Sequence, residues 1–149
     1  MQTFLPYPSF RESAMSLDTK RLGKQRVEAK QILIALGYGV GEHEGNPNSR
    51  WRHHPAVRMW RGHEFYLADY SIAICAEWII RGYRDTLHDQ FHSLWVRLGM
   101  AKDTWKKPEW LGMPDLHASH RSNLLRKLYS HYSGFGWTEP SDLEYVWPV

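Results

Sequence analysis

Apolar residues recur at helical spacing in four stretches of this chain, and nowhere do they alternate convincingly with the period of a strand. In Leu17–Leu36, the residues Ala29, Ile32, Leu33 and Leu36 share one face, which predicts a helix stopping near Gly37. A second helix is predicted from Pro55, a residue suited to a first helical turn, to about Arg81, ending at Gly82. Trp60, Leu67, Ile74 and Trp78 line up along it, and from Tyr70 to Ile80 it is apolar almost all round, as a central buried helix would be. Asp85 stands where it can cap a third helix with the stripe Leu87, Phe91, Leu94, Trp95 and Leu98. A last helix is predicted from about Leu116 to Tyr132, with Leu124, Leu125 and Leu128 facing in. Ser9–Glu12 reads as a capping box that opens a short helical turn. Residues 1–8, with Pro6 and Pro8, read as extended, and residues 38–50 and 99–116 as loops. The aromatic tail from Gly134 is expected to pack across the body, since four exposed large rings would be unusual. The expected fold is all-α: a compact single domain over residues 1–149, built as a bundle of three to four main helices.

The first helix departs from its own pattern. Traced toward its N-terminus, the inward face turns from apolar to Leu22, Arg26, Gln25 and Asp18, with Lys20, Arg21, Lys24 and Glu28 beside it. Burying such groups dry costs on the order of 2–7 kcal/mol each. A polar end of this kind predicts a cleft, and its basic flank an anionic ligand. The last helix repeats the change, from Leu128 and Leu124 into Arg121 and His117, with His120 alongside. Two arrangements fit. Either the two N-terminal ends meet in a cleft whose helix dipoles suit phosphate, or His117, Ser119 and His120 cap the helix and face water. Asp18 is likewise a helix cap or a site acid, and Glu28 a site acid or a surface partner of Lys24 or Arg21.

Composition narrows this a little. A net charge of +3 and a pI near 9.0 give only a mild bias toward polyanions. The aromatic share is high, and such rings either fill a core or stack on bases. The run Arg50-Trp51-Arg52-His53-His54-Pro55, continued by Arg58, Trp60 and Arg61, interleaves the cations and rings that nucleic-acid contact needs. The same pattern arises where Arg side chains cover aromatic faces. A lone Cys75 excludes an internal disulfide and a Cys-rich zinc site. His53, His54, His117 and His120 match no common zinc spacing, so no metal and no cofactor are expected. Neither a signal peptide nor a membrane-length apolar run is present, which points to a soluble, cytoplasmic protein.

Four pieces, in chain order, resemble the pyrimidine-dimer DNA glycosylase family, the endonuclease V type of repair enzyme. They are the N-terminal segment with the basic helix Lys20–Leu36, the run Arg52-His53-His54-Pro55, the helix end Glu77–Tyr83, and Leu116-His117-Ala118-Ser119 followed by the aromatic tail. The resemblance implies an all-α fold with the N-terminal segment threaded between helices. It implies a partner, double-stranded DNA damaged by a cyclobutane pyrimidine dimer. In that family an N-terminal α-amine attacks C1′, the base leaves through an imine, and β-elimination nicks the strand. α-Amines in general titrate at about 7.7–8.0, so a useful fraction is free base near neutrality. A helix-borne Glu stabilises the cationic sugar and moves protons, while basic residues grip a kinked duplex with a base flipped out.

The family's amine belongs to a small second residue exposed by removal of the initiator Met. Here bulky Gln2 leaves that role to Met1, or to Gln2 after processing. The family's Arg-Glu pair falls on Lys24-Gln25 in the apolar register and on Lys20-Arg21 in another. Neither supplies a carboxylate, and a Gln cannot transfer the proton. Asp18 and Glu28 are the replacements. The expected DNA contacts are Lys20, Arg21, Lys24, Arg26, Arg52, His53, His54, Arg61, His117, His120 and Arg121. Beside a glycosylase with AP-lyase activity stand two other readings: a nucleic-acid-binding protein without chemistry, motivated by Gln25, and a His-dependent metal hydrolase.

Overall fold

The computed structural model describes all residues, 1–149, and is all-helical. Helix α1 spans Phe10–Ser16 and opens on Ser9, whose hydroxyl accepts from the Glu12 N–H. Helix α2, Thr19–Ala35, opens on Asp18, whose carboxylate accepts from the Arg21 N–H. Helices α3 (Pro55–Arg58), α4 (Glu64–Ile80), α5 (His88–Ala101), α6 (Pro114–Lys127) and α7 (Tyr129–Tyr132) follow, with a 3₁₀ turn at Ser133–Phe135. Helix α4 is central and packs on α1, α2 and α5. Its contact with α2 is close because Gly23 has no side chain: a Cβ there would lie 2.9 Å from the Trp78 ring. One continuous core runs from Phe4 and Leu5 through Leu22, Ile32, Trp60, Tyr70 and Phe91 to Leu124 and Tyr132.

The predicted helix from Pro55 to Arg81 is two helices. The chain breaks at Gly62, whose φ of +87° is left-handed. Only glycine reaches that region at no steric cost. The Gly62 N–H freed by the break is taken by the Glu64 carboxylate at 3.0 Å. The break lets Trp60, fully buried, turn toward the N-terminal segment and donate from its indole to Thr3 Oγ1 at 3.0 Å. The C-terminal end of α4 is also not enclosed, since Ile79 and Ile80 are exposed. The N-cap position of α5 is Leu87 rather than Asp85, but Asp85, two residues before it, still accepts from the His88 N–H at 2.6 Å. The predicted last helix begins earlier, at Pro114, and is interrupted at Leu128. No helix is long and apolar enough to cross a membrane.

The N-terminal segment is extended and lies between α2, α4 and α6. Its backbone polar groups are buried, so each needs a partner. Gln25 of α2 accepts from the Phe4 N–H at 2.9 Å, and the Tyr70 hydroxyl of α4 reaches the Phe4 carbonyl at 2.9 Å. On the α6 side, His120 Nδ1 accepts from the Leu5 N–H at 2.8 Å, and His117 Nδ1 donates to the Leu5 carbonyl at 2.7 Å. The tail crosses α6 as expected. Ser119, Ser122 and Asn123, on one face of that helix, bond the backbone of Val146 and Leu143.

Candidate active site

A pocket of about 320 Å³ opens where the N-terminal segment meets α2. Met1 and Gln2 line it from the segment, with Phe4 at its floor. Lys20, Arg21, Lys24, Gln25 and Glu28 come from successive turns of α2. Lys127, at the end of α6, and Tyr145, in the tail, close the far side.

Gln25 is the hub of this arrangement and is buried. Its Oε1 accepts from the Phe4 N–H at 2.9 Å. The Tyr70 hydroxyl, 2.6 Å from Oε1 and 2.9 Å from the Phe4 carbonyl, shares its proton between them. The Gln25 Nε2 donates to the Gln2 carbonyl at 2.8 Å and to Glu28 Oε2 at 3.0 Å. An amide meets these needs because it both donates and accepts; a carboxylate would set a second acceptor against the Gln2 carbonyl and the Glu28 carboxylate. Gln25 therefore straps the chain start to α2 and orients Glu28.

Glu28 is the carboxylate of the pocket. Its side chain is 14% exposed, with Lys24 Nζ 3.8 Å from Oε1. Its charge is felt around the site. Burial raises the Tyr70 hydroxyl's pKa well above the ordinary range, and Glu28 adds to it. His54 is held below its usual value, first by burial and then by the Met1 α-ammonium, with Glu28 opposing.

Asp18 lies elsewhere. Besides capping α2, it accepts from the Tyr132 hydroxyl at 2.5 Å and pairs with Arg21 at 3.3 Å. Burial raises its pKa, but Tyr132 and Arg21 outweigh this and hold it below the usual carboxylate range. It is a satisfied structural acid outside the pocket lining.

Several expected DNA contacts are placed differently. Arg26 turns away from the pocket, pairs with the fully buried Asp85 carboxylate at 2.5 Å, and lies over the Trp78 ring at 4.9 Å. His117 and His120 neither line a cleft nor face water: they are buried, and together they clip both backbone groups of Leu5. Burial lowers the pKa of both, that of His120 to about 3, so they are neutral. Arg121 is held by Glu139 and by the Pro6 carbonyl, and so also braces the segment. Arg52 bonds the Asn48 and Ser49 carbonyls; His53, before α3, and Arg61, after it, are exposed, and Arg61 donates to the Arg52 carbonyl at 3.4 Å. His54 caps α3 by accepting from the Ala56 N–H at 3.0 Å. No three His, Cys, Asp or Glu side chains converge as metal ligands. Phe4, Tyr70, Lys127 and Tyr145 were not singled out by sequence. The only signal for Tyr145 was the aromatic richness of the tail.

The pocket joins the start of the chain, a half-buried carboxylate and cations on two helices. That combination suits addition of an amine to an electrophilic carbon of an anionic ligand. Comparisons with curated proteins and with solved structures found no match. A family model described as pyrimidine dimer DNA glycosylase matches residues 1–91. That range holds the threaded segment, α2 and α4, and with them Met1, Gln25 and Glu28. With more than half of its length matched, the chain belongs to the pyrimidine dimer DNA glycosylase family.

Proposed function

We propose that this protein is a DNA repair glycosylase that acts on pyrimidine dimers in double-stranded DNA and also nicks the strand as an AP lyase, working as one domain over residues 1–149. The observation that carries the reading is the shared pocket of Met1 and Glu28, ringed by Lys20, Arg21, Lys24 and Lys127. In this reading the Met1 amine, as free base, forms a bond to C1′ of the damaged nucleotide. The glycosidic bond breaks, its electron pair leaves with the base, and the base takes up a proton. Opening of the sugar ring, with a proton delivered to its oxygen and one lost from nitrogen, gives the imine. Loss of a C2′ proton then expels the 3′ phosphate and nicks the strand. Glu28 is the group that accepts and returns protons and offsets the cationic sugar. The surrounding cations hold the flanking phosphates.

The use of Gln25 as a strap beside Glu28 favours this reading over a binding protein without chemistry. Borohydride trapping on a duplex with one pyrimidine dimer tests the proposal. The expected result is a covalent adduct mapped to the peptide bearing Met1, lost on acetylation of the terminus and strongly reduced in Glu28→Gln. No adduct, or an adduct on a lysine side chain, overturns it.

A further inference from the structure

The family match ends at residue 91, yet the pocket is completed by Tyr145, far beyond it. Three features make this ring a built part of the pocket. Its backbone is fixed on both sides by α6. Ser122 Oγ accepts from the Leu143 N–H at 3.0 Å, Asn123 Nδ2 donates to the Leu143 carbonyl at 3.0 Å, and Ser119 Oγ accepts from the Val146 N–H at 3.1 Å. The ring is braced from behind by His120, nearly perpendicular at 5.6 Å between centroids, and by Trp147 at 5.5 Å. His120 is itself locked to Leu5, so the brace cannot swing away. Finally, the Tyr145 hydroxyl has no hydrogen-bond partner in the protein, and the ring is only half-buried although its supports are fixed.

The rest of the wall tells what such a ring would meet. Lys20, Lys24 and Lys127 supply positive charge suited to a phosphate backbone. Rings interleaved with cations are the combination that holds unstacked nucleotides, because every base has a π-face. A second observation points the same way. Gln2 lines the same pocket, and its amide Nε2 is buried with no acceptor in the protein. An unpaired buried donor is costly to leave without an acceptor. The carbonyl edge of a nucleobase would satisfy it.

We infer that Tyr145 is a stacking surface for a base drawn out of the bound duplex, so that the tail held by α6 is part of the substrate site. The inference rests on the glycosylase reading above. The ring acts on a base and not on the sugar, so its effect depends on whether the reacting nucleotide still carries one.

The test uses the full chain and two duplexes of the same sequence, one with a pyrimidine dimer and one with an abasic site in its place. Tyr145→Leu keeps bulk against His120 and Trp147 but removes the ring; Tyr145→Phe keeps the ring and removes the hydroxyl. Thermal melting checks that both variants fold. Single-turnover base release by Tyr145→Leu from the dimer duplex is expected to slow by roughly 5- to 150-fold, the range that loss of one base–ring stack gives. Borohydride trapping on the abasic duplex is expected to stay within about twofold of wild type, and Tyr145→Phe to match wild type on both. The inference is overturned if Tyr145→Leu processes the dimer duplex normally, slows both duplexes alike, or is matched in defect by Tyr145→Phe. If wild type forms no adduct with either duplex, the glycosylase reading fails and the stacking role falls with it. If wild type reacts and only the Tyr145 pattern fails, the stacking role alone is lost.

Discussion

Replacing Gln25 with Leu removes the strap while keeping side-chain size and helix propensity. The Tyr70 hydroxyl keeps the Phe4 carbonyl as a partner at 2.9 Å, so it is not orphaned. The Phe4 N–H and the Gln2 carbonyl have no other hydrogen bond and would be left unpaired in a buried place. At about 1–3 kcal/mol for each orphan, the cost is about 2–6 kcal/mol if the segment stays docked. For a chain of this size that corresponds to a fall in melting temperature of roughly 5–20 °C. The segment has another course. Leu5 remains clipped to His117 and His120, so residues 1–4 can lift away while the remainder stays. In either case Met1 and Gln2 lose their fixed place in the pocket that Glu28 lines. A misplacement of about 1 Å costs on the order of 10²-fold in rate. Gln25→Leu is therefore expected to trap DNA at least about 10²-fold more slowly, with faster hydrogen exchange at Phe4 and little change at Leu5. Wild-type trapping together with unchanged exchange at Phe4 would refute the strap.

Acid should loosen the same segment from its other side. His120 titrates at about 3 in the fold, because burial first and the nearby His117 second disfavour its charge. Its pKa is depressed relative to the unfolded value of 6.5, so its contribution is fully present above pH 6.5 and is lost as pH falls from there toward 3. The full effect is about 5 kcal/mol. The urea midpoint should fall between pH 7 and pH 5, and the slope should flatten in His120→Gln; a midpoint constant over that range contradicts a buried neutral His120. Arg26→Leu strands the buried Asp85 carboxylate, which should cost about 3–5 kcal/mol in urea melts. Because Arg26 faces away from the pocket, fluorescence anisotropy should find duplex affinity within about twofold of wild type, and a marked loss would mean that Arg26 does reach DNA.

The sequence carried the helices because their signals are local: Ser9 before α1, Asp18 before α2, and the apolar stripes of α2 and α5. It did not carry the break at Gly62, since a lone glycine within a helical pattern is tolerated at modest cost and does not by itself end the helix. Reading Gln25 and Arg26 together as inward could not separate them. One residue turns a helix by about 100°, and only the position of Asp85 shows which way Arg26 goes. The polar starts of α2 and α6 were visible as breaks in periodicity. Their purpose was not, because His117 and His120 serve the backbone of Leu5, and backbone groups leave no mark in a sequence. Lys127 and Tyr145 were hidden for a related reason. The path of the tail is set by serine and asparagine side chains reading main-chain atoms, with no repeating pattern to betray it.

The clip on Leu5 has a consequence for synthesis on the ribosome. Leu5 is joined to residues 112 and 115 positions further along. Leu5 therefore gains its backbone partners only once α6 has emerged, well after α2 and α4. Before then Gln25, Tyr70 and Trp60 can hold residues 2–4, but the backbone of Leu5 has no clip. In the proposed mechanism, a chain ending before α6 would thus carry Met1 and Glu28 without the clip that seats Leu5.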